Sequence, residues 1–253
     1  SVFTPLEEAN APAIYEKYNE KSLSYKISVY SESQKKILIK SKIVAENQIK
    51  VIGNPRCDYV FRLRRITPKY KIVIFYLIEF NRAEVPLSNV KGKNWNKLYN
   101  QTLKYLFEFA EDNPNIQIIL KGKVGVHKKQ QTNINTLPKN CIFIDGGPGH
   151  TLLKNASAVI AFNSTIVFET IASNRNLIIP NFNNESKVHQ NILHKIENEK
   201  YFVNSKKQFM GKIKFYLENK YRNKSLSNAD IKTLRYYVGN TDGTSGAKLK
   251  KFL

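Results

Sequence analysis

Buried apolar runs that alternate with helix-like stretches constrain this chain more than any other feature of its sequence. The run at 71–80, KIVIFYLIEF, is almost continuously apolar, which is typical of a strand covered on both faces. From there onward strand-like and helix-like stretches take turns, which predicts an α/β fold: a Rossmann-like, doubly wound parallel sheet with helices on both faces. The predicted strands are 71–80, 116–123, 141–146, 157–163 and 175–182, and the predicted helices are 94–114, 164–174, 189–202 and 206–221, with a turn and short helix over 147–156.

The residues before this pattern predict a smaller α/β segment. Its predicted elements are a strand over 25–31, a helix over 32–41 capped by Ser31 or Ser33, and a strand, turn and helix over 48–61, the helix beginning near Asp58. The polar and basic stretch 62–70 is the predicted linker, because Pro68 disfavours helix at the residue before it.

The composition limits the class of protein. Hydrophobic residues make up 42% of the 253, which is enough to bury a core. No apolar run reaches the ~18 residues that a transmembrane helix needs, and the first residues do not resemble a signal peptide. Cys57 and Cys141 lack metal-ligand spacing, so free thiols in a reducing compartment are expected. The expected location is the cytoplasm, with peripheral association at the inner face of the membrane as a further expectation.

The formal net charge of +21 has two interpretations. One is an anionic partner: nucleic acid, anionic lipid or a phosphorylated substrate. The other is compositional drift, because Lys, Asn and Ile are abundant together and the lysines are scattered. Zinc-finger spacing and a dense basic helix are both missing from the sequence, so no sequence-specific nucleic-acid partner is expected.

The stretch 159–174, VIAFNSTIVFETIASN, predicts a ligand site where a strand gives way to a helix. Ligands of doubly wound sheets bind beyond the carboxyl ends of the strands. Ser164 and Thr165 stand where a helix begins, which favours a phosphate, and Glu169 follows one turn later, where a carboxylate suits a ribose diol. The alternative is that Ser164 merely caps the helix and Glu169 faces water.

A glycine-rich loop, DGGPGH at 145–150, follows another predicted strand. The backbone of Gly146, Gly147 and Pro148 is able to approach a base or phosphate closely, although a plain turn explains the same residues. His150 is a candidate phosphate ligand or base, or an ordinary surface histidine.

Lys121, just before the end of the predicted strand 116–123, is a candidate to neutralise a phosphate, against the alternative of a solvated lysine. The sequence holds no P-loop, no Ser-His-Asp order and no cluster of metal-ligand spacing. An ATP site, a serine hydrolase and a metal centre are therefore not expected.

Three motifs resemble GT-B-type surface-carbohydrate glycosyltransferases of capsule and lipopolysaccharide synthesis. IKVIGNPRCDYV at 49–60 resembles the V-x-G-N-P-R-x-D segment that closes their amino-terminal domain. The stretch 155–182 resembles their donor-binding segment, and YYVGNTDGTSGAKLKKFL at 236–253 resembles their G-N-x-D-G-x-S tail. The resemblance implies a metal-independent transferase without a cofactor that uses a nucleotide-activated sugar.

The resemblance also implies roles for individual residues. The implied nucleotide-binding residues are Ser164 and Thr165 for the phosphate, Glu169 for the ribose, Gly146, Gly147 and Pro148 for the base, and Lys121, whose surroundings depart from the Lys-x-His-Pro segment of the family. The implied cleft or hinge residues are Asn54, Arg56, His150, Asp242 and Ser245. No catalytic residue is assigned, because the usual base of such enzymes lies in the acceptor half.

The implied organisation is an incomplete acceptor-side segment at 1–66, a donor-binding Rossmann-like domain at 67–235, and a tail at 236–253 that packs back toward the first segment. A complete acceptor domain needs ~100–200 residues. The chain is therefore expected to be a module of a longer polypeptide, to have lost its acceptor half, or to receive it from a partner.

The predicted function is transfer of a sugar from a CMP- or UDP-linked donor to a surface polysaccharide or lipid-linked acceptor, with an anionic membrane surface as a further partner. Two alternatives stay open. One is a CDP-glycerol or CDP-ribitol phosphotransferase of the teichoic-acid type, and the other is a non-catalytic nucleotide-binding module.

Overall fold

The computed structural model describes residues 26–68, 71–76, 95–122, 137–162, 164–184, 196–218, 225–239 and 242–252. The strands are β1 Ile27–Val29, β2 Ile49–Val51, β3 Ile72–Tyr76, β4 Gln117–Lys121, β5 Cys141–Ile144, β6 Ala158–Ile160, β7 Leu177–Pro180 and β8 Phe202–Val203. The helices are α1 Glu32–Lys40, α2 Pro55–Arg62, α3 Trp95–Asp112, α4 Ile166–Ala172, α5 Lys206–Glu218, α6 Asn228–Tyr237 and α7 Ser245–Phe252. Short 3-10 turns include Leu63–Arg65, Gly149–Lys154 and Glu199–Tyr201.

Six parallel strands form the main sheet in the order β5-β4-β3-β6-β7-β8. Counted from β3, this is the 3-2-1-4-5-6 order of the Rossmann fold. All five residues of β3 are buried, as the continuous apolar run predicts for a central strand. The predicted α/β fold with a doubly wound parallel sheet is confirmed, and the strand order reverses direction between β3 and β6.

Helix α2 shares its core with the main sheet. Its buried side chains Cys57, Val60 and Phe61, at positions i, i+3 and i+4, lie on one face and join the large core, together with Leu63. β1 and β2 instead enclose a small separate cluster around Val29, Val44 and Ile49. The division of the chain at residues 66–67 stays a prediction, and the packing places α2 with the sheet that follows it.

Two arginines fasten the turn after α2 to the sheet domain. Arg64 Nε donates to the carbonyl of Ala172 at 2.6 Å, at the end of α4. Arg175 is 3% exposed and donates from Nε to the carbonyl of Leu153 at 2.8 Å and from Nη2 to that of Leu63 at 3.2 Å. These bonds hold the turn that follows α2 against the end of α4 and the residue Arg175 beyond it.

Some element boundaries differ from the sequence predictions. Helix α2 begins at Pro55 rather than near Asp58, because Asn54 Oδ1 accepts from Arg56 N at 3.1 Å and proline suits the first helical position. Helix α1 is capped by Ser31, one of the two predicted caps. Residues 77–80 of the first predicted strand and 189–195, the first half of the predicted helix 189–202, lie outside the described residues. The second half of that prediction is wrong, because 196–202 hold a 3-10 turn at Glu199–Tyr201 and the start of β8.

Candidate functional site

Three segments of the chain meet at the carboxyl edge of the sheet, where the strand order reverses. Tyr76, the last residue of β3, donates its hydroxyl to the carbonyl of Gly149 at 2.6 Å. A Cβ on Gly149 would lie 3.0 Å from the Tyr76 ring, so the glycine permits this approach. Helix α4 follows β6, and Ile166 also lies beside Gly149. Reversal points of this kind are where doubly wound sheets bind ligands.

Glu169 on α4 lies at this place, buried but only half paired. Its exposure is 6%, so the alternative that it faces water is wrong. Oε1 lies 3.1 Å from Arg56 Nε, whereas Oε2 is buried without a hydrogen-bond partner among the described residues. Burial raises the pKa of this carboxyl and the Arg56 charge lowers it. An unpartnered buried oxygen is costly, which makes Oε2 an acceptor available to a ligand.

Arg56 reaches Glu169 from the first turn of α2. Its side chain is 54% exposed, so one side of the ion pair is open to solvent and the other is buried. Asn54 caps this helix, and its backbone N–H donates to the carbonyl of Val238 at 3.1 Å. The ion pair therefore joins α2 to α4. Arg56, which the sequence predicts to be a hinge or cleft residue, directly contacts Glu169, the residue predicted to bind the ribose.

His150 lies close enough to Arg56 for the charge of the arginine to act on its ring. Its ring packs edge-on against Tyr59 of α2, with ring centroids 5.4 Å apart. Burial and then the Arg56 charge lower the pKa of His150, which favours the neutral imidazole at pH 7. Its Nδ1 is buried and has no hydrogen-bond partner in the described part of the chain. Two buried polar atoms, Glu169 Oε2 and His150 Nδ1, thus lack partners among the described residues, and the charge of Arg56 acts on both side chains.

The glycine-rich loop leads into the same place. Gly146 and Gly147 both have positive φ, 79° and 70°, a conformation that other residues rarely adopt. Gly147 and Pro148 are exposed, and a Cβ on Gly147 would meet nothing within 4 Å. The loop is therefore an open turn, and its contact with a base stays a prediction.

Ser164 and Thr165 precede α4, as the sequence predicts. Ser164 Oγ accepts from Ile166 N at 3.4 Å, a long capping contact. Thr165 is exposed and makes no side-chain cap bond. Their predicted contact with a phosphate stays a prediction.

The structure does not bring the other predicted site residues into this group. Lys121 is 5% exposed at the end of β4, and its ammonium donates to the carbonyl of Gly122; burial lowers its pKa, against the charge of Asp145. Asp242 accepts from Thr244 N at 2.9 Å in the turn before α7. Ser245 is buried and donates its backbone N–H to Asp58 at 3.0 Å. The roles predicted for Lys121, Asp242 and Ser245 stay predictions.

Sequence reasoning missed the aromatic residues of the site. Tyr76 ends an apolar strand and Tyr59 stands in a helix, so both read as ordinary core residues. Only the fold brings Tyr76 near Glu169; burial, and then the charge of Glu169, raise the pKa of this tyrosine. No pattern in the sequence distinguishes these tyrosines from other buried aromatics.

Two further searches concern metals and membranes. Among the described residues, no three His, Cys, Asp or Glu side chains lie close enough together to hold a metal ion. In the same part of the chain, every helix is too short or too polar to cross a membrane.

Solved structures similar to this one belong to GT-B glycosyltransferases. The wall teichoic acid polymerase TagF matches with a TM-score of 0.51 and 12% identity, over 96% of this chain and 59% of TagF. A TagF variant soaked with CDPG matches with a TM-score of 0.53 and 10% identity, over 100% of this chain and 61% of that one. The chain thus spans about 60% of the length of these relatives. At such identity the similarity shows the GT-B fold.

Comparison with curated proteins gives no significant match. A family model, described as capsule polysaccharide biosynthesis protein, matches residues 13–230. That range contains α2, the whole main sheet, and the group formed by Arg56, His150 and Glu169. The chain therefore belongs to the capsule polysaccharide biosynthesis protein family.

Proposed function

We propose that this chain carries the donor-binding part of a glycosyltransferase that uses a CMP- or UDP-linked sugar. Its acceptor is a surface polysaccharide or a lipid-linked glycan. Membership of a capsule polysaccharide family supports the class of reaction, and the GT-B fold supports the class of donor. The observation that carries the proposal is the buried carboxylate of Glu169, whose Oε2 lacks a partner at the carboxyl edge of the sheet.

A nucleotide fits the chemistry of the groups assembled there. A ribose diol offers two O–H donors, which an ionised carboxylate accepts. The proposed phosphate position lies near the hydroxyls of Ser164 and Thr165, and the proposed base position lies over the open turn at Gly146 and Gly147. Positively charged side chains would neutralise the phosphate, so we propose that transfer is metal-independent and needs no cofactor.

A thermal-shift screen with CMP, CDP, UDP and GDP tests the proposal. A nucleotide at 100 times its Kd stabilises the protein by ~2.7 kcal/mol, which raises Tm by roughly 5–10 °C for a chain of this size. Glu169→Gln should abolish the shift, whereas the control Glu111→Gln, at an exposed site near the end of α3, should keep it. The proposal fails if none of the four nucleotides shifts the wild type, or if Glu169→Gln responds as the wild type does.

Turnover then separates the kinds of transferase. The chain is combined with its acceptor-side partner or longer form and a glycan acceptor, and offered CMP-sugar, UDP-sugar or CDP-glycerol. Nucleotide release from a sugar donor supports the glycosyltransferase. Release of CMP from CDP-glycerol alone would instead support a phosphotransferase of the teichoic-acid type. Binding without any turnover would leave a nucleotide-binding module.

We also propose that the chain works at the inner, anionic face of the membrane. The ammonium groups of Lys26 and Lys50 lie 5.4 and 5.5 Å from the ring centroid of Phe252. Helix α7 adds three exposed lysines: Lys248, Lys250 and Lys251. Co-sedimentation with phosphatidylglycerol vesicles should fall steeply with salt and should be absent with phosphatidylcholine. Equal binding to both lipids would contradict this part of the proposal.

A further inference from the structure

We propose that Arg56 binds the phosphate group of the donor while Glu169 binds its ribose, so that this ion pair is one recognition unit for a nucleoside 5′-phosphate. The inference rests on the proposed function and adds to it a specificity-determining residue from α2. This residue lies in the part of the chain that precedes the main sheet.

Each partner of the ion pair uses only part of its binding capacity. The contact joins Arg56 Nε to Glu169 Oε1 at 3.1 Å. Guanidinium has five N–H donors, and the Nη groups of Arg56 make no hydrogen bond within the described residues, on a side chain that is 54% exposed. Oε2 of Glu169 is buried and also has no partner there. Spare donors and a spare acceptor thus lie side by side.

The two spare capacities match two adjacent parts of a nucleotide. Guanidinium only donates, and it binds phosphate through paired N–H groups. Carboxylate only accepts, and it repels phosphate, so the phosphate must lie on the Arg56 side. In a nucleoside 5′-phosphate the diol and the phosphate belong to the same ribose. A nucleoside fills only the acceptor half, and inorganic phosphate fills only the donor half.

Arg56 lowers the pKa of the Glu169 carboxyl, against the larger effect of burial, which raises it. Glu169 faces Arg56 and Cys57 on α2 and Tyr76 on β3, and Arg56 is the cation among them. His150, whose pKa burial and then the Arg56 charge lower, is favoured in its neutral form and adds no competing positive charge. Arg56 therefore offsets part of the cost of burying an ionised Glu169.

A purely structural role for the pair makes a different prediction. Helix α2 is already held to the sheet domain by Arg64 on the carbonyl of Ala172 and by Arg175 on that of Leu63. Loss of Arg56 should therefore leave the fold intact. The unliganded Tm of Arg56→Gln is expected to fall below that of Arg62→Gln, an exposed arginine at the other end of the same helix, because Glu169 loses its cation, while the protein still unfolds in one cooperative transition.

Calorimetric titration at pH 8 with CDP, cytidine and 2′,3′-dideoxy-CDP tests the inference; the uridine series replaces them if UDP gives the larger thermal shift. Arg56→Gln should weaken CDP about 10- to 100-fold and leave cytidine within about twofold. Glu169→Gln should weaken CDP and cytidine alike and leave dideoxy-CDP unchanged. Arg62→Gln should bind all three as the wild type does.

The outcomes separate this inference from the proposed function. If Glu169→Gln loses CDP while Arg56→Gln matches Arg62→Gln, the inference is overturned and the proposed function stands. If Arg56→Gln weakens cytidine as much as CDP, Arg56 acts through the structure and the inference is again overturned. If the wild type binds no nucleotide, both fail. If Arg56→Gln does not fold, Arg56→Lys replaces it. This variant keeps the positive charge but loses the paired N–H donors of guanidinium, and the same ratio of CDP to cytidine affinity tests it.

Discussion

Removal of the Asp58 carboxylate tests how the carboxyl-terminal helix is held to the rest of the fold. Asp58 Oδ1 accepts from Ser245 N at 3.0 Å, and Oδ2 accepts from Gly246 N at 2.7 Å. Both amides belong to the first turn of α7, where backbone N–H groups lack partners within the helix. Asp58 on α2 thus caps the amino-terminal end of α7, a role that a residue directly before a helix usually has.

The expected loss follows from these two bonds. A hydrogen bond to a charged group contributes about 1.5–3 kcal/mol, and a helix cap typically about 1 kcal/mol. Since Asp58 is half-buried, we expect Asp58→Ala to lower the free energy of unfolding by about 2–3 kcal/mol. Asp58→Asn keeps one acceptor and should lose about half of that. For a chain of this size Asp58→Ala should lower Tm by roughly 5–10 °C.

Thermal unfolding, together with hydrogen exchange of the peptide that contains α7, measures the effect. The control is Asp112→Asn, which removes an exposed charge at the end of α3. The amides of α7 should exchange faster in Asp58→Ala than in the wild type, and at the wild-type rate in the control. The reasoning is refuted if the Tm of Asp58→Ala lies within 1–2 °C of the control, because ~2 kcal/mol should move it further.

Three shorter predictions concern packing and titration. Gly239→Ala should destabilise the fold strongly, because its Cβ would lie 1.7 Å from the carbonyl oxygen of Tyr30. The matched control Gly211→Ala lies inside α5 with nothing within 4 Å of the added Cβ, so it should raise the free energy of unfolding by about 0.5–1 kcal/mol; urea unfolding measures both. The pKa of Glu169 in the folded protein is raised above 4.5, so the wild type should lose stability relative to Glu169→Gln as pH rises from about 4.5 toward that raised pKa. Urea unfolding of both proteins across this pH range measures the difference between their unfolding free energies, and a difference that grows with pH would contradict the shift. Cys57, 2% exposed with its pKa raised by burial to about 12, should resist alkylation at pH 8 until the protein unfolds, as mass spectrometry of its peptide would report.

The sheet was predictable because its strands are nearly continuous apolar runs. β3 lies within 71–80 and β4 within 116–123, and burial on both faces leaves little freedom in how such runs pack. Helices α6 and α7 were not predicted. Helix α6 begins with a capping box between Ser227 and Asp230, but only half of its ten residues are hydrophobic, and α7 is capped from α2 rather than by its own segment.

The candidate site was predictable only in part. The place of Glu169 follows from a strand end and one helical turn, so the sequence is enough to single it out. Its burial and its pairing with Arg56 depend on how α2 packs against α4, which is a long-range contact. The three polar residues in the stretch GNPRCD have three different roles: Asn54 caps α2, Arg56 pairs with Glu169, and Asp58 holds α7.

The most direct test of the account is a crystal structure of this chain soaked with the nucleotide that gives the largest thermal shift. The account predicts that both ribose hydroxyls lie within hydrogen-bond distance of the Glu169 carboxylate, with the phosphate on the Arg56 side. A nucleotide bound elsewhere on the sheet, or a ribose that leaves Glu169 paired with Arg56 alone, would contradict it.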